Sequence, residues 1–153
     1  MQARADFSPC RRYRFALWRR WAGGPQVLFV MLNPSTADET GDDPTIRRCI
    51  AFARSWGFGG LAVGNLFAFR TPSPAVLRSA PRPVGEDNDD WLSRLRAESE
   101  RAVAAWGDHG RFLGRAAAVR AALPGLHHLG LTKRGEPRHP LYLPASTEPV
   151  RWA

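Results

Sequence analysis

Apolar and polar positions along this chain fall into short solid runs separated by longer mixed stretches. From Tyr13 to Trp18 they alternate. A turn, Ala22-Gly23-Gly24-Pro25, then leads into Val27-Leu28-Phe29-Val30-Met31-Leu32 without a polar break. The pair predicts a hairpin whose second strand is buried on both faces. The run stops at Asn33-Pro34-Ser35-Thr36, and an acidic loop with Asp38, Glu39, Asp42 and Asp43 follows. Asp43-Pro44 is a helix start, an acid at the cap and a proline at the first helical position. That helix is expected to run through Ile46, Cys49, Ile50 and Phe52 to Trp56 and stop at Gly57. Leu61 to Leu66 predicts a second buried strand, followed by a proline-broken loop from Pro72 to Pro83. Asp87 or Asn88 caps a helix through Leu95, Ala102 to Trp106 predicts a third inner strand, Phe112 to Leu123 a helix and Leu126 to Leu131 a fourth strand.

Short apolar strands alternating with helices of about 12 residues are the pattern of a parallel sheet covered on both faces. The expected fold is therefore α/β: a three-layer α/β/α sandwich with a mainly parallel central sheet of about four strands plus an N-terminal antiparallel strand. The 153 residues suffice for one domain spanning 1–153. In such sheets ligands sit outside the carboxyl ends of the strands. That rule selects Asn33 to Asp38, Asn65 to Arg70, Trp106 to Gly110 and Thr132 to His139.

Composition narrows the class without naming a function. The 44% hydrophobic and 24% charged residues are ordinary for a globular chain and exclude a disordered or fibrous one. No apolar run approaches the roughly 20 residues of a membrane span, and the arginine-rich start lacks the apolar stretch of a leader, so a cytoplasmic chain with no membrane partner is expected. Cys10 and Cys49 have no metal-ligand or disulfide spacing. The charge of +8 comes from 22 basic against 14 acidic residues, and every basic residue except Lys133 is arginine. With so much Ala, Gly and Pro beside it, this bias is read more simply as GC-rich coding than as a nucleic-acid footprint.

The strand-end stretches carry the candidate chemistry. Asn33 follows a buried strand; it either holds a water or sugar oxygen or closes an Asx turn. Asn65 ends an apolar strand, where an unpaired amide costs roughly 1–3 kcal/mol, so it either reads the edge of a base or ties down a neighbouring loop. Asp38 is the best of the loop acids as an acid or base, since Asp43 is occupied as a cap. His139, beside Lys133, Arg134 and Arg138, either donates to an oxygen that becomes negative in a transition state or is a surface histidine in a basic tail. Phe67 or Phe69 offers a stacking face for a base, although most aromatics belong in the core.

The motifs LNPSTAD, DDPTIRRC, WGFGGLAVGNLFAFR, PVGEDND, AWGDHG and RHPLYLP resemble those of the DUF1643 family over roughly residues 13 to 144. More distantly, their order is similar to that of the uracil-DNA glycosylase superfamily. There a first strand ends in a GxNPG-like or GQDPY-like loop, a later one in Asn, another in Trp-Gly, and the last leads to an HPSP-like loop. Leu32-Asn33-Pro34-Ser35, Val63-Gly64-Asn65, Ala105-Trp106-Gly107 and His139-Pro140-Leu141 occupy those positions, with Leu32, Ser35 and Leu141 replacing two glycines and a serine. The resemblance implies that Asn33 positions water, Asn65 reads the base edge and His139 stabilises the departing base. Asp38 joins Asn33 and His139 as a catalytic candidate. Pro34, Ser35, Thr36, Asn65, Phe67, Arg70, Trp106 and Arg138 are the expected substrate contacts.

No cofactor is implied. The function expected is cleavage of an N-glycosidic bond of a damaged or modified base, in single-stranded or exposed nucleic acid because little sequence is left for a duplex-wedging insertion. Two alternatives stand beside it. One is a non-catalytic module that binds a nucleotide or single strand. The other is a metal-assisted hydrolase or transferase using Asp38, Asp42 and Asp43. No protein partner is indicated, and nothing requires more than a monomer.

Overall fold

The computed structural model describes residues 1–153. Seven strands, β1 (Gln2–Phe7), β2 (Arg14–Arg20), β3 (Gln26–Met31), β4 (Gly60–Asn65), β5 (Arg101–Ala104), β6 (Leu126–His128) and β7 (Val150–Arg151), form one mixed sheet in the order β1-β2-β4-β3-β5-β6-β7. The pairings β4–β3, β3–β5 and β5–β6 are parallel, while β1–β2, β2–β4 and β6–β7 are antiparallel. Four α-helices cover it: α1 (Pro44–Ser55), α2 (Pro74–Ser79), α3 (Asn88–Ala97) and α4 (Arg115–Ala122).

β3 organises both layers. Val27, Phe29 and Met31 pack with Ile46, Cys49, Phe52 and Ala53 of α1, and Leu28 and Val30 pack with Leu92 and Leu95 of α3 and Val119 of α4. The five apolar side chains of β3, Val27 to Met31, are all buried. At about 1.5–3 kcal/mol for each large apolar side chain fully buried, this strand contributes to two cores at once. α1 begins as expected: the Asp43 carboxylate accepts from the Ile46 N–H at 2.9 Å, and Pro44 occupies the first turn.

The expected β2–β3 hairpin is absent. β3 needs hydrogen-bonded neighbours on both edges, and its parallel partners β4 and β5 take them, so β2 joins the sheet on the far side of β4 with Leu17 opposite Val63. Strands β1 and β7 and the short α2 capped by Ser73 stand where no regular element was expected, and a 3₁₀ segment at Asp108–Gly114 takes the place of the first residues of the expected Phe112–Leu123 helix. α4 therefore starts at Arg115 and not at Phe112, because Leu113 and Gly114 both have positive φ. The third and fourth inner strands end at Ala104 and His128, earlier than the apolar runs suggested.

The acidic loop between β3 and α1 is anchored by a buried arginine of β2. The Arg19 Nε donates to Asp42 Oδ1 at 2.8 Å, Nη1 to the Trp18 carbonyl at 2.9 Å, and Nη2 to the carbonyls of Asp38 at 2.7 Å and Gly41 at 3.0 Å. Replacing Arg19 by Met would take the charged donor away from Asp42 and those carbonyls, in a loop whose Gly41 and Asp42 are exposed. The expected loss is on the order of 2–4 kcal/mol, the low side for a broken buried pair because Asp42 keeps some access to water. Arg12→Ala, at an exposed position, is expected to stay within about 0.5 kcal/mol of the parent. Urea unfolding of the two variants checks this, and near-equal midpoints would refute the anchoring role.

Candidate functional site

The carboxyl ends of β3, β4 and β5 open on one side of the sheet, onto a cleft of about 460 Å³. Asn33, Pro34 and Ser35 after β3, Asn65 at the end of β4, Trp106 after β5, and His139 all line it. Four stretches far apart in the chain are thus brought to one place.

Asn33 is held by its nitrogen. Nδ2 lies 2.8 Å from the Thr71 carbonyl and 3.2 Å from those of Phe69 and Pro34, so its two protons tie the loop after β3 to the loop after β4. This fixes the amide's rotation and leaves Oδ1, an acceptor, without a protein partner. The turn expected as one alternative is in fact a tether across two loops.

The backbone that presents Asn65 is clamped from behind. Asn88 Nδ2 in the first turn of α3 donates to the carbonyls of Asn65 at 2.8 Å and Leu66 at 3.2 Å, and Arg115 Nε donates to Leu66 at 3.0 Å. The Asn65 side chain is 1% exposed, yet neither its Nδ2 nor its Oδ1 has a hydrogen-bond partner. The loop-tying alternative is therefore not used, and one donor and one acceptor stand unpaired in the wall of a cleft. Five buried side-chain atoms lack partners in the whole chain, and three of them belong to the cleft residues Asn65 and Arg14.

His139 is poised as a donor. Its Nδ1 accepts from the Leu141 N–H at 3.2 Å, which assigns the proton of the neutral ring to Nε2. Burial holds the imidazole below its ordinary value, and the Asp43 carboxylate offsets part of that shift. Trp106 Nε1 donates to Glu136 Oε1 at 3.0 Å, and the Gly107 N–H donates to the Pro137 carbonyl at 2.8 Å, which joins the end of β5 to the segment carrying His139. Gly107 turns there with φ +71°.

Other expected residues lie elsewhere. Asp38 Oδ1 accepts from the N–H groups of Thr40 and Gly41, which holds its carboxyl below the ordinary value, and neither it nor the exposed Thr36 lines the cleft. Phe67 is fully buried against Phe112 in the core and offers no stacking face. Its side chain belongs to the layer under α4 because the chain after β4 stays inside the fold, paired to Leu32. Arg70 and Arg138 sit in grooves on opposite margins. One, lined by Arg11, Arg12 and Arg70, shares Ser35, Thr71 and Pro72 with the cleft; the other, lined by Lys133, Arg138 and Tyr142, shares Gly107, His139 and Leu141 with it.

The cleft also holds residues that were not among the expected catalytic groups or substrate contacts. Arg14 and Asp43 line it, as do Thr71 and His109. Asp43 carries the one carboxylate there, in addition to capping α1. Tyr142 is 98% exposed with φ +69° beside the second groove. Its place three residues after His139 was the available signal. The three acids proposed as metal ligands have separate tasks: Asp38 closes its own loop, Asp42 meets Arg19 and Asp43 caps α1. No group of three His, Cys, Asp or Glu side chains is disposed to hold a metal ion, and no helix is long and apolar enough to cross a membrane.

The family model described as "Protein of unknown function (DUF1643)" matches residues 14–141. No curated protein and no solved structure matches the chain.

The burial of His139 has a testable sign. A histidine whose folded pKa lies below the unfolded value of 6.5 binds fewer protons in the fold, so its contribution to stability is complete above 6.5 and is lost as the pH falls below it. NMR titration should place His139 below 6.5, and Asp43→Asn should lower it further by removing the charge that raises it. His127 and His128 are also depressed by burial. Replacing His139 by Gln should therefore narrow, without abolishing, the stability difference between pH 7.5 and pH 5.5. A His139 titration above 6.5 would overturn the buried-donor assignment.

Proposed function

The chain belongs to the DUF1643 family, and from the contents of its cleft we propose that it is a glycosylase-like hydrolase, cleaving the N-glycosidic bond of a damaged or modified base in single-stranded or otherwise exposed nucleic acid. The observation that carries this reading is Asn65. A buried amide with both its donor and its acceptor unpaired matches a ligand that offers an acceptor beside a donor, which is the chemistry of a base edge. Its cost in the empty protein, roughly 1–3 kcal/mol per unsatisfied group, is recovered when such a ligand enters.

The rest of the cleft supports the same chemistry. Water attacks the anomeric carbon as the bond to the base nitrogen breaks, and the electron pair leaves with the base. The sugar passes through an oxocarbenium-like state and the base leaves as an anion. Asn33 Oδ1 accepts from the attacking water. The Asp43 carboxylate stands in the same cleft to favour the cationic sugar. The Nε2–H of His139 donates to the base oxygen as charge builds there, with its neutral form secured by burial. The water's proton passes to the base or to solvent, and the products are a free base and an abasic sugar.

Flanking arginines and Lys133 supply non-specific attraction to phosphates on both margins of the cleft, and exposed Tyr142 provides a face on which a neighbouring base stacks. The order of strand-end motifs, similar to that of the uracil-DNA glycosylase superfamily, supports the reading further.

Incubation with single- and double-stranded oligonucleotides carrying uracil, hypoxanthine, xanthine or hydroxymethylated bases, followed by cleavage at abasic sites, tests it. Activity is expected on at least one single strand, unaffected by chelator, and reduced about 100-fold or more in Asn33→Ala and in His139→Ala. Salt-sensitive association without product would assign a binding module instead, and loss of activity with EDTA would assign metal-assisted chemistry.

A further inference from the structure

Three arginines of this chain are buried, and they are not treated alike. Arg19 reaches a carboxylate and four carbonyls through all its nitrogens. Arg115 donates Nε to the Leu66 carbonyl and Nη2 to Asp89 Oδ1 at 2.8 Å. Arg14 is 2% exposed and has one side-chain hydrogen bond, from Nη1 to the Ala37 carbonyl at 3.1 Å. Its Nε is buried without a partner, its Nη2 has no protein acceptor, and it forms no salt bridge. A guanidinium carries five N–H donors, and a buried cation left this poorly matched is expensive. Of the three, Arg14 is the one that lines the cleft.

Its surroundings do not neutralise it. Asp43 acts on it favourably from the cap of α1, where its oxygens are engaged by the N–H groups of Ile46 at 2.9 Å and Ala37 at 3.4 Å, while Arg70 and Arg19 act against it. Burial outweighs the carboxylate and brings the guanidinium down to about 10. The first turn of α1 faces the same cleft through Thr45, and a helix start adds partial positive charge. Asp43 is the opposing charge that any anion there must tolerate.

We propose that Arg14 is the seat of a phosphate, so that the cleft takes a phosphorylated nucleotide unit in preference to a free base or nucleoside. This deepens the base-cleaving reading, on which the nucleotide part rests. The phosphate part rests on the unmatched donors alone. A planar fork with unused N–H groups suits a phosphate oxygen pair better than a neutral ligand. The phosphate can belong to a free mononucleotide or to a strand backbone.

Calorimetric titrations of the whole protein in chloride buffer at constant ionic strength separate these outcomes, with inorganic phosphate, uridine, uridine 5′-monophosphate, uridine 3′-monophosphate and a uridine-containing single-stranded hexanucleotide as probes. One monophosphate is expected to bind at least about ten-fold more tightly than uridine, and inorganic phosphate to compete with it. Arg14→Met should remove that preference while Arg14→Lys retains part of it. Should Arg14→Met fail to fold, the unmodified protein still decides. Equal binding of uridine and both monophosphates, or no binding of any with no thermal shift from inorganic phosphate, would overturn the seat. Tighter binding of the hexanucleotide than of either monophosphate assigns the phosphate to a strand, and equal binding assigns it to a free nucleotide. Phosphate preference without base release sinks the hydrolase and leaves the seat standing, whereas base release without phosphate preference does the reverse.

Discussion

A strand buried on both faces cannot simply stop, because the backbone polar groups at its end have left water and no longer have a ladder to pair with. β3 and β4 end side by side under this constraint, and the loops beyond them are built to satisfy it. Asn33 covers the carbonyls of Phe69 and Thr71, Asn88 those of Asn65 and Leu66, Arg115 that of Leu66 again, and Arg19 those of Asp38 and Gly41. Side-chain donors replace the missing neighbour strand. The loops they hold are therefore stiff, and a cleft between stiff loops keeps its shape when empty.

That thoroughness makes the exceptions informative. Of the five buried side-chain atoms without a partner, three are concentrated in one cleft, on the Asn65 amide and the Arg14 guanidinium. Each costs stability that a hydrophobic replacement of similar volume would recover. Polar groups left unsatisfied in the wall of a cleft bind a complementary ligand with little reorganisation, and they reject a ligand that cannot pair with them.

The layered α/β arrangement was legible because burial on two faces imposes solid apolar runs, and Val27 to Leu32 and Leu61 to Leu66 could be nothing else for long. Strand order was not legible. A hairpin between β2 and β3 and the observed insertion of β4 place the same side chains in the same cores, so the hydrophobic pattern is indifferent to the choice. The strand-end rule found Asn33, Asn65, Trp106 and His139, which share the cleft. It failed for Phe67 and Asp38, since polarity and position do not reveal whether a side chain turns inward or bonds its own loop. Arg14 was invisible for a different reason. Among so many arginines, on a strand next to an arginine-rich start, nothing in its spacing separates it from Arg12 or Arg20.

What separates these arginines is hydrogen-bond occupancy, and this changes the meaning of the net charge. A total of +8 draws any polyanion weakly and is screened beyond about 8–10 Å at physiological salt. Most of the arginines contribute only to that diffuse field, and several are further committed to structure: Arg19 to the acidic loop, Arg115 to α3 and the end of β4, Arg4 to the face of Trp18. A cation in a low-dielectric wall acts over a short range but is little screened, so one buried guanidinium with unused donors outweighs many exposed ones at the distance where a ligand is recognised. On the proposed reading, selectivity in this cleft would depend on the opposed pair Arg14 and Asp43 and on the neutral donors Asn65 and His139, and the basic surface outside would only bring a ligand near.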